Sequence, residues 1–96
     1  MELFIFGRFH VRLGKEGAFS EALREVVQAS GLEPGCLEIH GYRSKRDERL
    51  FYIHSRWEDE RAFEVHAKMA HTVKFIEHAE AMVDHELDIT RAERLV

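Results

Sequence analysis

The chain is poor in the residues that usually mark a specialised class. Cysteine occurs once, at Cys36, which excludes an intrachain disulfide and a cysteine-built zinc cluster. A reducing, cytoplasmic setting is therefore expected. Proline occurs once and glycine six times in 96 residues, with no linker, repeat or low-complexity tract. One domain spanning residues 1–96 follows. No apolar run approaches the ~18 residues of a membrane span, and no charged-then-apolar leader opens the chain. Basic residues are outnumbered, 14 against 18 acidic, for a net charge of −4. That argues against a nucleic-acid partner, which needs a basic face. Gly14-Lys15-Glu16-Gly17 lacks the length and the Lys-Ser/Thr ending of a phosphate loop. What remains, 45% apolar and 33% charged, is a globular composition.

Hydrophobic spacing divides this composition into elements. Glu2 to Arg12 alternates with period two, so a strand is expected there. From Ala18 the spacing becomes three and four through Phe19, Ala22, Leu23, Val26 and Ala29, an amphipathic helix. Gly31 is expected to end it as a left-handed cap, with Pro34 beyond. Cys36 to Tyr42 and Leu50 to Trp57 alternate again and flank a charged loop, which reads as a hairpin. Asp59 is the expected N-cap of a helical stretch buried through Ala62, Phe63, His66, Phe75, Ala79 and Met82. A break is expected near Met69 to His71, and a short polar strand through Leu87 and Ile89 closes the chain. The order predicts an α+β, ferredoxin-like split βαβ fold: a four-stranded antiparallel sheet with its helices on one face.

One sheet face then collects Leu3, Ile5, Phe9, Val11, Leu37, Ile39, Phe51, Ile53 and Trp57. The opposite face should be wet. Instead it carries Phe4, Phe6, Tyr42, Leu50 and Tyr52 among His10, His40, His54, Arg8 and Arg56. Such a patch exceeds what a soluble monomer usually exposes, so a homodimer through the face bearing Phe4, Phe6, Tyr42 and Tyr52 is expected.

Seven histidines invite a metal reading, yet none are spaced i, i+4 on a helix. His10, His40 and His54 could converge from neighbouring strands on a fortuitous ion. His66 and His71 stand near a helix break and the end of the strand carrying Trp57. A neutral imidazole in an apolar cleft can take a proton from a phenol or hydroquinone. Equally, each could bond a backbone carbonyl, and Trp57 could be only a core anchor. Cys36 reads as a small buried hydrophobe, and the loop Lys45 to Arg49 as a solvated hairpin tip.

Glu33-Pro34-Gly35-Cys36-Leu37, Phe51, Trp57-Glu58-Asp59 with Ala62, Phe63 and His66, and then His71 and Phe75, form an ordered set. It resembles the antibiotic biosynthesis monooxygenase family, which includes small quinol monooxygenases and forms dimeric α+β barrels. The resemblance implies oxygenation of a small quinol-like or phenolic molecule without metal, flavin or other cofactor. His66 would be the base, with His71 its alternate, and Trp57 would wall the substrate. Phe9, Phe51, Phe63 and Phe75 would line the rest of the pocket. The family's haem-degrading members carry an Asn, a Trp and a His where this chain has Gly7, His66 and Ile76, so haem chemistry is disfavoured. The amide of the polyketide oxygenases has no counterpart either, because the chain contains no Asn. Because one fold hosts several chemistries, two other readings stay open. One is a dimeric ligand-binding or detoxification module; the other is an isomerase of a small enolisable ketone.

Overall fold

The computed structural model describes residues 1–96. Its elements are β1 (Leu3–His10), α1 (Glu16–Ser30), β2 (Cys36–Arg43), β3 (Leu50–Trp57), α2 (Glu60–Ala67), α3 (Ala70–Met82) and β4 (Asp88–Ala92). All strand pairings are antiparallel, in the order β2-β3-β1-β4. β1 and β2 therefore run parallel with β3 between them, which is the split βαβ arrangement expected from the element order. No helix is long and apolar enough to cross a membrane.

The helices cover one sheet face. Phe9, Val11 and Phe51 from the sheet meet Phe19, Leu23 and Val26 of α1 and Phe75 and Ala79 of α3 in the main core. Four of these are aromatic. Phe19 lies 5.3 Å from Phe9, 4.9 Å from Phe51 and 5.8 Å from Phe75 between ring centroids. A smaller cluster of Leu3, Ile5 and Trp57 packs with Cys36, Ala62 and Phe63 under α2. Two glycines make the covering close. A Cβ at Gly41 would come within 2.9 Å of Leu23, so α1 can press directly on β2. Gly35 has φ +86°, and a Cβ there would lie 2.7 Å from that of Ala62. It both turns the chain into β2 and lets α2 approach.

Three local expectations are corrected. Gly31 is right-handed at φ −62°, and α1 unwinds instead through a turn in which Glu33 N–H donates to Ser30 O at 3.0 Å. Leu37 leaves the covered face. The β2–β3 register slips between Cys36 and Glu38, and this bulge turns Leu37 out to solvent. Finally, His10, His40 and His54 do not converge. His40 faces His54 across β2 and β3, but His10 pairs with Leu50, four residues away along β3, or about 13 Å at strand spacing. The Asp59 cap holds: its Oδ1 accepts from Ala62 N–H at 2.8 Å.

Candidate active site

Between the sheet and its helices lies a cavity of about 70 Å³. Its wall is mostly apolar: Ile5, Phe9, Val26, Ile39, Ile53 and Phe75 are among the lining side chains. The polar members are few: His66, Thr72, Ser30 and Ser55. A cavity of roughly 150 Å³ holds benzene, so this space, under half that volume, would have to widen to admit even one compact ring. Ile76, half-buried, and Ile89, exposed, stand on the same wall.

His66 comes from the last turn of α2, which Asp59 starts. Its Nδ1 lies 2.7 Å from Glu33 Oε2 and 3.2 Å from Thr72 Oγ1. Glu33 stands in the loop after α1, and its side chain is only 6% exposed. A carboxylate accepts hydrogen bonds and does not donate, so Nδ1 carries the hydrogen. In the neutral ring the lone pair is then on Nε2, which has no protein partner. Burial pushes the His66 pKa below the ordinary imidazole value of about 6.5, while the Glu33 bond and charge oppose that shift. The ring is therefore neutral near pH 7 and can accept a proton. Two features would steady the resulting imidazolium: the Glu33 carboxylate and the negative end of α2.

The break after α2 determines where His71 goes. α3 restarts at Ala70, and His71 in its first turn reaches back so that Nε2 lies 2.7 Å from the same Glu33 oxygen. His71 does not line the cavity. It holds Glu33 from the more exposed side.

Trp57 is wholly buried and stands behind the cavity wall, not in it. Its ring lies 4.4 Å from that of His66, and its Nε1–H donates to Ser55 Oγ at 2.9 Å. Where the resemblance implied that it would wall the substrate, it lies outside the cavity lining and packs against His66 from behind. Of the four phenylalanines expected in the pocket, Phe9, Phe63 and Phe75 line it. Phe51 does not. It packs against Phe19 and lines a separate open groove with Leu23 and Gly41. Glu33 was legible only as part of a motif, because nothing in the spacing of Glu33, His66 and His71 announces their contact.

Glu33, His66 and His71 are also the residues that could hold a metal, their ligand atoms lying within 4.8 Å of one another. Both nitrogens, however, sit 2.7 Å from one oxygen, the separation of an N–H···O hydrogen bond. Metal bonds of 2.0–2.2 Å would hold neighbouring ligand atoms roughly 3 Å or more apart. The side chains would have to spread to admit an ion, so the arrangement fits a hydrogen-bonded triad better.

Known structures share this architecture. PA3566 from Pseudomonas aeruginosa superposes with a TM-score of 0.90 at 28% identity, over 99% of this chain and 95% of that one. Rv0793 from Mycobacterium tuberculosis gives 0.93 at 17% identity, over 100% and 97%. A candidate antibiotic biosynthesis monooxygenase from Nitrosomonas europaea gives 0.90 at 21% identity, over the full length of both chains. The latter two, below a quarter identical, carry the fold alone. No curated protein matches the sequence significantly. The model of the antibiotic biosynthesis monooxygenase family matches residues 3–78, and with the fold it establishes that this chain belongs to that family.

Proposed function

We propose that the protein is a cofactor-independent monooxygenase of a small quinol-like or phenolic aromatic molecule, with Glu33 and His66 as its base pair. Membership of a monooxygenase family supports the reaction class. The observation that carries the assignment is a neutral imidazole, oriented by a buried carboxylate, on the wall of an otherwise apolar cavity. His66 Nε2 takes the proton of a ring hydroxyl. The electron-rich ring anion then passes one electron to O₂, giving a ring radical and superoxide. Their recombination forms the C–O bond, and loss of water leaves a carbonyl. For a hydroquinone the balance is quinol plus O₂ to hydroxyquinone plus water, so the substrate supplies every electron. The protein contributes the base, the fixed orientation and the exclusion of water.

A homodimer through the open sheet face belongs to the same proposal. Phe6 and Tyr42 are about half exposed and Tyr52 is 39% exposed, all on that face. The His54 ring lies 6.4 Å from Phe4 and 5.1 Å from Phe6, so these rings make one contiguous, partly exposed patch.

Oxygen-electrode assays with hydroquinone test the reading. Uptake above the autoxidation rate, lost in His66→Asn, is the expected result. No uptake, with saturable binding of the same ring, would instead favour a ligand-binding module. Proton exchange into an enolisable ketone without O₂ consumption would favour the isomerase.

A further inference from the structure

Ser30 ends α1 with no measurable exposure, and its hydroxyl has no hydrogen-bond partner. A serine in a helix can bond back to the carbonyl four residues earlier; this one does not. Buried polar groups without partners are rare in folded proteins, and each one calls for a reason. Ser30 lines the cavity that His66 lines. So does Ser55, buried on β3, whose oxygen already accepts from Trp57 Nε1–H. That bond leaves the Ser55 hydrogen free and polarises the hydroxyl as a donor. The cavity thus has an imidazole lone pair, the Ser30 and Ser55 hydroxyls with hydrogen-bonding capacity to spare, and beside them only the Thr72 hydroxyl, which lies 3.2 Å from His66 Nδ1.

We propose that Ser30, with Ser55, forms a second polar pole that hydrogen-bonds a substrate oxygen other than the one facing His66. The substrate is then a single ring bearing two oxygen functions. A hydroxyl rotor both donates and accepts, so the pole serves that oxygen as hydroxyl in the substrate and as carbonyl in the product. Once the ring has given up an electron the second hydroxyl grows more acidic, and the same pole can accept its hydrogen. A ring with one oxygen would leave Ser30 as unpartnered as it is in the free protein.

This inference rests on reading the cavity as the substrate site, and its test needs no turnover. Under anaerobic conditions, calorimetric titration compares hydroquinone with phenol in the wild type and in Ser30→Ala. Loss of one hydrogen bond should weaken hydroquinone about tenfold and leave phenol unchanged. The melting temperature of free Ser30→Ala should be equal or higher, because the variant removes an unpartnered polar group. Ser30→Cys, close in shape and a weak donor, gives the same comparison if the alanine variant does not fold. Equal weakening of both rings, no weakening of hydroquinone, or a wild type that binds neither overturns the proposal. So does a lower melting temperature, which would mean the hydroxyl is already held in the free protein. Selective weakening without O₂ uptake in air would sink the oxygenase reading and leave this binding pole standing.

Discussion

At the residue scale, the chemistry depends on an orientation. His66 is one of seven histidines, and it stands apart because Glu33 binds one of its nitrogens inside an apolar wall. His66→Asn should lower turnover on hydroquinone by 100-fold or more, the usual range for a lost general base, with the fold intact by circular dichroism. Glu33→Gln has a signature that simple misfolding would not produce. Burial lowers the His66 pKa and Glu33 raises it, so removing the charge should lower it further. The acid limb of kcat/KM should then move to lower pH while the plateau falls, and imidazole titration by NMR should follow the same shift. For stability the sign runs the same way. Because the folded value is depressed, the neutral His66 contributes above the unfolded value near 6.5, and the contribution is lost as pH falls through the folded value. Trp57 works through packing, so Trp57→Ala should cost about 3–5 kcal/mol in chemical denaturation. Its activity must be judged after that loss.

At the element scale, two junctions place the triad. Gly35 holds the loop that carries Glu33, and a methyl there would push α2, and with it His66, away through Ala62. Gly35→Ala should therefore lower the melting temperature and the activity together. The far end of the sheet is tied differently. His10 Nδ1 lies 2.6 Å from Asp84, and its Nε2 lies 3.1 Å from Asp47 in the hairpin loop. The His10 bond holds the Asp84 carboxyl below its usual value; for Asp47 the Arg49 backbone N–H is the larger cause. Both carboxylates contribute above the ordinary value of about 3.8, and the contribution is lost as pH falls through their lowered folded values. These groups are exposed, so the effect is small and screened by salt. Asp84→Asn should flatten the acid limb of urea stability measured in low salt.

At the scale of the whole molecule, both sheet faces call for cover, and the helices supply only one. Phe6→Glu should leave the monomer fold intact and shift light-scattering mass from two chains to one. A wild type that runs as a single chain at micromolar concentration would remove the dimer reading. Sequence alone determined the element types and their order, because period-two and period-3.6 patterns are local and depend only on which side of each element meets water. It also marked Asp59 as a cap and put Phe9, Phe63, Phe75 and His66 on the covered side. Only the tertiary structure brought Glu33 to His66 and His71, across 33 and 38 residues of chain. The same packing set Trp57 behind the imidazole, turned Leu37 outward at a bulge and left Ser30 without a partner. Those outcomes depend on how α1, α2 and α3 seat against the sheet, and that seating is a matter of close packing between distant segments that no local period records.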